Sequence, residues 1–165
     1  MVQLFDDDNG FDPEYLQKAV QYYDEYKARQ QKEVIICATI QYRDSGKLRS
    51  QGFSHFRYRQ SRPVNFVADE QQTEGAEIQM FSGNGLLGAK KLFQEVKYNE
   101  EIARVAEDMD FTLSLHERGA RLFVFSSLIV RHYERDKTLL EHVRIGSRAQ
   151  AYQKARNRFL FVYRH

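Results

Sequence analysis

The stretch Val2-Gln3-Leu4-Phe5-Asp6-Asp7-Asp8-Asn9-Gly10 joins a short apolar segment directly to three consecutive aspartates. The apolar segment is typical of the end of a β-strand. Three adjacent carboxylates repel one another unless a cation or hydrogen-bond donors compensate their charge. Asp6 and Asp8 are two residues apart, so in an extended chain they point to the same side and could share a divalent cation. The stretch therefore predicts either a metal site at a strand end, or a solvated turn or helix-capping cluster.

Beyond this stretch, helical and strand patterns alternate, which predicts an α/β fold with a mixed β-sheet flanked by helices. Asp12 and Pro13 are residue types that favour a helix N-cap and first turn. Residues 50–77 form the least regular part of the chain. In chain order, the other predicted elements are a strand ending near residue 5, a helix over 13–30, strands over 34–42 and 78–81, helices over 86–96 and 106–119, and strands over 122–125 and 128–133.

The composition is that of a single folded domain. The chain has 165 residues, 42% of them hydrophobic, and no apolar run approaches the roughly 20 residues that cross a bilayer. Cys37 is the only cysteine, which favours a reducing compartment, and the acidic first residues predict no signal peptide. We therefore expect one domain over residues 1–165 in the cytoplasm, with peripheral binding at the inner face of the membrane as a further option.

The C-terminal part of the chain is basic. Residues 134–165 are predicted to form an amphipathic helix, because Thr138 and Glu141 have capping-box spacing and an apolar stripe follows them. No acidic residue occurs from residue 142 onward, and the basic ones are Arg144, Arg148, Lys154, Arg156, Arg158 and Arg164. This asymmetry favours an anionic ligand or a membrane surface, with Phe159, Phe161 and Tyr163 favouring an interface, while a solvated basic face is equally compatible.

Three further groups of residues have types that carry chemistry. Glu107, Asp108 and Asp110 lie at a predicted helix N-terminus, where the helix dipole favours ionised carboxylates. This position suits either a general base or an ordinary N-cap. The segment Ser82-Gly83-Asn84-Gly85 lets a backbone approach a sugar or a phosphate closely. His132 lies near the end of a predicted strand, where a lone histidine is more often structural than a ligand.

Taken in order, these motifs resemble the family 2 glycosyltransferases, which are nucleotide-diphospho-sugar transferases of the GT-A fold. The stretch that contains Asp6-Asp7-Asp8, with the helical pattern after it, is similar to that family's Asp-x-Asp motif. The segment Ser82-Gly83-Asn84-Gly85 is similar to its glycine segment, and Glu107-Asp108-Met109-Asp110-Phe111 to its Glu-Asp motif. Val130-x-His132 and Arg156-Asn157-Arg158 also follow in family-like order.

The resemblance implies an inverting transfer of a sugar from a nucleotide-diphospho-sugar donor to a hydroxyl of a saccharide or lipid-linked acceptor, as in polysaccharide biosynthesis. It implies that Asp6, Asp8 and His132 hold Mn²⁺ or Mg²⁺ on the donor diphosphate. Asp108 would remove the proton of the acceptor hydroxyl. The residues implied in substrate binding are Gly83, Asn84, Gly85, Glu107, Arg156 and Arg158. Nucleic acid is not among the implied partners.

The family places its nucleotide-binding half before the Asp-x-Asp strand, whereas this chain starts almost at that strand. The resemblance therefore implies a partial GT-A fold that lacks the N-terminal nucleotide-binding half, as in the C-terminal portion of a transferase or one half of a split enzyme. An open sheet edge would then favour self-association or a second polypeptide that carries the first half. Two alternatives are a noncatalytic interaction module and a metal-dependent phosphatase with a strand-end aspartate as its nucleophile.

Overall fold

Val34–Tyr42 forms the central strand of the molecule, with the boundaries that the sequence predicts. The computed structural model describes residues 1–60, 62–68, 75–102, 106–133 and 148–165, with side chains from residue 151 onward in the last range. The helices and strands are β1 (Val2–Leu4), β2 (Asn9–Phe11), α1 (Tyr15–Gln30), β3 (Val34–Tyr42), β4 (Leu48–Ser50), β5 (Phe53–Arg57), β6 (Arg62–Asn65), β7 (Ala76–Ile78), β8 (Leu86–Gly88), α2 (Lys90–Glu95), α3 (Glu107–Glu117), β9 (Arg121–His132) and α4 (Arg148–Arg164), with a short 3₁₀ turn at Tyr58–Gln60.

Strands β1, β8, β3, β9 and β2 form one sheet in that order, with β4 beside β3 and β7 beside β9. Strands β3 and β9 are parallel, with Val34 opposite Arg121 and Tyr42 opposite His132. The other strand pairs of the described residues are antiparallel, including the separate pair of β5 and β6. The fold is therefore α/β with a mixed sheet, which confirms the predicted class.

Alternate residues of β3 face two different layers of helix. Ile36 and Ala38 lie in a buried cluster with the inner side of α1. Ile35 and Cys37 lie in a second cluster with residues of α2 and α3, among them Phe111. Each fully buried aliphatic side chain stabilises the fold by about 1.5 to 3 kcal/mol. Because helices cover both faces of the sheet, β3 is apolar along its buried length instead of alternating with polar residues.

One side of helix α4 packs against α3. Phe161 is buried in a third cluster with Phe56, and Asn157 is also buried. At the end of α4, Arg164 and His165 both bond to the carboxylate of Asp110, a residue with no solvent exposure. Phe161 therefore belongs to the core, which corrects its assignment to an exposed interface. No helix among the described residues is long and apolar enough to cross a membrane.

The predicted helix over residues 86–96 is wrong in its first part. Leu86–Gly88 is a strand that pairs with β1 on one side and with β3 on the other. Helix α2 covers only Lys90–Glu95. Three apolar residues are too few to show a period of two or of 3.6, so the local pattern fits either structure.

Three smaller predictions also need correction. The strands predicted over 122–125 and 128–133 are one strand, β9, whose register with β3 shifts between Phe125 and Ile129. Strand β7 ends at Ile78 and does not continue to residue 81. Asp12 does not cap α1, because Glu14 is the N-cap, and the Asp12 carboxylate instead binds the Arg131 guanidinium at 2.7 Å. The part of the predicted C-terminal helix over residues 134–147, with Thr138 and Glu141, lies outside the described residues.

Candidate active site

The site candidates gather at one edge of the sheet. Strands β1 and β3 are each antiparallel to β8, and β9 is parallel to β3, so β1, β3 and β9 all point the same way. The carboxyl ends of these strands therefore lie along one side of the sheet, which we call the edge of the site. In open α/β sheets, ligands bind at this side. After β1 the chain crosses this edge through residues 5–8 and enters β2 on the far side of β9. The crossing places the three aspartates along the edge.

Asp6, Asp8 and His132 meet at this edge, as the resemblance implies. One ligand atom from each residue lies within 4.8 Å of the other two, and both carboxylates are exposed while the imidazole is buried. Nε2 of His132 is 3.4 Å from Oδ2 of Asp8. Two carboxylates and one imidazole fit Mn²⁺ or Mg²⁺, which bind few protein ligands and complete their shells with water and phosphate oxygens.

The reason for this grouping differs from the sequence argument. Residues 7 and 8 form a turn instead of extended chain, so strand alternation does not bring Asp6 and Asp8 together. Pairing of β2 with β9 sets Asn9 opposite His132, and the backbone N–H of Tyr133 donates to the carbonyl of Asp8 at 3.0 Å. The sheet register therefore carries Asp8 to the histidine.

Asn84 holds the acidic loop over residues 5–8 in place by hydrogen bonds. Its Oδ1 accepts hydrogen bonds from the backbone N–H of Asp6 at 3.0 Å and from Nδ2 of Asn9 at 2.9 Å. Asn84 is buried, and the N–H of Gly85 donates to the carbonyl of Leu4 at 2.9 Å. The hydrogen bonds of the Asn84 side chain are thus with the loop that carries two of the candidate metal ligands, which is a positioning role.

Gly83 lets a second carboxylate approach the same edge. Its φ is +33°, and a Cβ atom built on it would lie 2.4 Å from Oδ1 of Asp108. Gly85 has a φ of +79°, and a Cβ atom there would lie 2.7 Å from Cβ of Ala38. Both glycines are therefore required by close packing, and Gly83 in particular gives room to the Asp108 carboxylate.

The Asp108 carboxylate has an unusual charge environment. Burial, then the negative charges of Glu107 and Asp6, raise its pKa to about 6, against the opposing effects of a hydrogen bond from Tyr98 and the charge of Arg49. The Tyr98 hydroxyl donates to Oδ1 of Asp108 at 3.3 Å. Because the charge of Asp6 acts on Asp108, this carboxylate lies within electrostatic reach of the cluster of Asp6, Asp8 and His132.

Asp108 does not cap α3. The N-cap is Ala106, which has a φ of +70° and makes no side-chain cap bond. Asp108 is the second residue of the helix, where the dipole favours a carboxylate without requiring one. The N-cap interpretation of Asp108 is therefore wrong, and its placement beside Gly83 has to be explained by something other than helix capping.

The remaining predicted residues lie further from this cluster or serve the fold. Arg156 donates to the backbone carbonyl of Glu101 at 2.7 Å. Arg158 lines a cavity of about 160 Å³ with Met109 and Phe161. The buried Asp110 binds the end of α4, so this third carboxylate of the predicted cluster has a structural partner.

A cavity of about 430 Å³ is lined by residues 48–53, 65–67 and Ser82, the residue before Gly83 in the chain. Arg49 is on its wall, and its charge lowers the pKa of Asp108. The Oγ atom of Ser82 is buried and has no hydrogen-bond partner among the described residues. Sequence reasoning missed Arg49 and Tyr98, since each lies in a segment with no local motif and reaches Asp108 only through the fold.

Comparison with protein-family models found no match to this chain, and comparison with curated proteins found none either.

Proposed function

We propose that this chain carries the metal-binding and acceptor-side part of an inverting glycosyltransferase. The observation that supports the proposal most is the meeting of two groups from distant parts of the sequence. A cluster of Asp6, Asp8 and His132 suited to a divalent cation lies within electrostatic reach of Asp108, a carboxylate with a raised pKa. A sugar transfer from a nucleotide diphosphate needs both a cation at the leaving group and a base at the nucleophile.

In this proposal Asp6, Asp8 and His132 would hold Mn²⁺ or Mg²⁺. When bound, such a cation neutralises the negative charge that develops on a diphosphate leaving group. Asp6 and Asp8 are exposed, so phosphate oxygens have access to the same position. Asn84 keeps the ligand loop in place through its two hydrogen bonds.

Asp108 is the general base of the proposal. A pKa of about 6 leaves the carboxylate ionised at neutral pH and makes it more basic than an ordinary aspartate. The acceptor hydroxyl oxygen forms a bond to the anomeric carbon as the bond from that carbon to the diphosphate oxygen breaks. The hydroxyl proton passes to Asp108, and attack from the opposite face inverts the anomeric centre. The Tyr98 hydroxyl orients the carboxylate by its bond to Oδ1.

The acceptor is assigned to the cavity beside Ser82. Its volume of about 430 Å³ is within the usual range for small-ligand sites. Phe53 and Phe66 supply apolar surface, and Asn65 and the unpartnered Ser82 hydroxyl supply hydrogen-bonding groups. This mixture suits a sugar ring, which has both apolar faces and hydroxyl groups.

The experiment measures Mn²⁺ binding by electron paramagnetic resonance in the presence of UDP or GDP. We expect Asp6→Asn and Asp8→Asn to weaken binding at least about tenfold, because each removes one of three ligands. Asp7→Asn is the matched control, since it changes the third aspartate of the same loop, which is not in the ligand cluster. Equal binding by all three variants would contradict the metal assignment.

Turnover separates the proposal from its alternatives. Nucleotide-sugar hydrolysis or transfer that needs Mn²⁺ and is lost in Asp108→Asn supports a glycosyltransferase. Metal binding without any turnover, when the chain is supplied with donor and acceptor, favours the noncatalytic module. Turnover of a simple phosphate ester that is lost in Asp6→Asn but kept in Asp108→Asn favours the phosphatase.

A further inference from the structure

We propose that the tip of the hairpin formed by β5 and β6 binds a phosphate-bearing ligand. This inference does not rest on the proposed glycosyltransferase function. The tip is defined by Arg57, Arg59 and Arg62, and all three side chains are exposed. No acidic residue occurs between residues 45 and 68, so the chain on both sides of the tip adds no negative charge.

The register of the two strands fixes the face on which the strand arginines lie. Arg57 is directly opposite Arg62, and Phe56 is directly opposite Pro63. Phe56 is 8% exposed, and its ring centroid lies 4.6 Å from that of Phe161 on helix α4. Successive side chains of a strand point to opposite faces. Arg57 and Arg62 therefore share the face of the hairpin that is turned away from α4.

The pairing of two arginines is unfavourable by itself, because like charges directly opposite each other destabilise an antiparallel pair. Arg57 and Arg59 make no ion pair or side-chain hydrogen bond with the described residues, and Arg62 donates only to the amide oxygen of Gln60, at 2.9 Å. Four arginines elsewhere in the fold each bind a carboxylate: Arg29, Arg121, Arg131 and Arg164. The positive charge of the tip is therefore not compensated within the described part of the chain, and a bound anion would compensate it.

The chemistry of guanidinium groups selects phosphate as that anion. One guanidinium can satisfy both oxygens of a carboxylate by a bidentate pair. A phosphate group carries close to two negative charges and three acceptor oxygens, so it can accept hydrogen bonds from more than one guanidinium. Arg57 and Arg59 also line a concave space of about 400 Å³, which is within the usual range for small-ligand sites. Because the three arginines belong to one hairpin, the tip fits a compact group, either a free phosphate ester or a lipid headgroup.

The first test is calorimetric titration of the full chain with inorganic pyrophosphate, in EDTA and at low salt. EDTA keeps divalent cations away from the candidate metal cluster, so the result does not depend on the proposed function. Binding should weaken at least about tenfold in Arg57→Gln/Arg62→Gln, because each guanidinium that is removed takes its charge-assisted hydrogen bonds with it. The matched control is Lys32→Gln/Lys90→Gln, which removes the same charge at exposed positions elsewhere and should bind like the unaltered chain.

Flotation with vesicles separates the two sources of the phosphate group. One set of vesicles is pure phosphatidylcholine, and in the other about a third of the lipid is phosphatidic acid. Binding of pyrophosphate without binding of the acidic vesicles assigns the tip to a free phosphate ester. Binding of the acidic vesicles, with or without binding of pyrophosphate, assigns it to a lipid headgroup. In both cases Arg57→Gln/Arg62→Gln should lose the binding and the lysine control should keep it.

A charge reversal tests the arginine pair itself. Arg57→Glu places a carboxylate directly opposite Arg62. The substitution should therefore raise the melting temperature of the ligand-free chain, because an opposite-charge pair replaces a like-charge pair, and it should also abolish anion binding. Thermal unfolding followed by circular dichroism measures the melting temperature and shows that each variant is folded.

Three results would overturn the inference. The first is that neither pyrophosphate nor the acidic vesicles bind to the unaltered chain. The second is binding that has the same strength in Arg57→Gln/Arg62→Gln and in the lysine control. The third is a melting temperature of ligand-free Arg57→Glu below that of the unaltered chain, which would show that Arg57 serves the fold instead of a ligand.

Discussion

Replacing Asp108 with asparagine should stabilise the protein at neutral and alkaline pH. The carboxylate is held where burial and the charges of Glu107 and Asp6 disfavour ionisation, and its pKa is about 6 instead of the ordinary 3.8. Asparagine has nearly the same shape, carries no charge, and keeps an oxygen that can accept the hydrogen bond from Tyr98. The substitution therefore removes the free-energy cost of a partly buried negative charge and keeps the hydrogen bond from Tyr98.

The magnitude follows from the shift in pKa. The rise in the pKa of Asp108 from 3.8 to about 6 lowers the free energy of unfolding by about 3 kcal/mol when the group is ionised. Each unit of pKa corresponds to about 1.4 kcal/mol. Below about pH 4 the carboxyl is protonated in both the folded and the unfolded state, so the shift has no effect. Above about pH 6 it is ionised in both states, and the folded state bears the full penalty. Asp108→Asn should therefore gain about 2 to 3 kcal/mol over wild type at pH 8 and nearly nothing at pH 4.

Urea unfolding of wild type and Asp108→Asn, in EDTA at about pH 4 and pH 8, measures this difference. Asp44→Asn removes the same charge from an exposed turn and controls for net charge. Glu107→Gln removes one named cause of the shift, so it should make the stability of the protein less dependent on pH. A gain for Asp108→Asn that is the same at both pH values, or a loss at pH 8, would refute the reasoning.

Three further substitutions test packing around the site and at the end of α4. Gly83→Ala should lower the free energy of unfolding by about 1 to 3 kcal/mol, because its Cβ would clash with the Asp108 carboxylate; urea unfolding unchanged from wild type would contradict this. Phe161→Ala should cost about 3 to 5 kcal/mol by leaving a cavity in the cluster that holds α4, and a smaller loss would mean that α4 contributes little to the core. Burial disfavours the charged form of His165, yet hydrogen bonds to two carboxylates, Asp110 among them, outweigh this and raise its pKa. Its stabilising effect should therefore be full below about pH 6.5 and disappear as pH rises through the raised pKa, so His165→Gln should destabilise more at pH 6 than at pH 9 in thermal unfolding.

The sequence predicts most reliably where one physical pattern acts alone. The strand Val34–Tyr42 is correct to the residue, because eight of its nine residues are apolar or β-branched and leave no helical alternative of that length. The helix that begins at Glu107 and the turn at Gly119 are also close to the prediction, since first-turn carboxylates and a glycine stop agree with each other. Leu86–Gly88 fails because three apolar residues take their structure from the strands on either side of them.

The sequence predicted which residues form the candidate site, but not how the fold brings them together. Asp6, Asp8 and His132 came from motif order, whereas their contact depends on the pairing of β2 with β9, a long-range register that no local pattern encodes. Tyr98 could not be found at all, because its bond to Asp108 joins a loop to a helix end without any sequence motif. Phe161 was misplaced because an apolar stripe does not show which of its rings meets the core.

The carboxylates at the sheet edge are coupled, and this links the proposed metal site to the proposed base. Asp6 is both a candidate ligand and one cause of the raised pKa of Asp108. A divalent cation on Asp6 would reverse the sign of the charge at that position and would favour the ionised form of Asp108. Mn²⁺ should then shrink the stability gain of Asp108→Asn at pH 8, and by linkage Asp108→Asn should bind Mn²⁺ more weakly than wild type. Repeating the urea series with Mn²⁺ in place of EDTA measures the first effect, and the Asp8→Asn background should abolish it. If the gain is the same with and without Mn²⁺ while Mn²⁺ is bound, the cation lies too far from Asp108 for the two groups to share one active site.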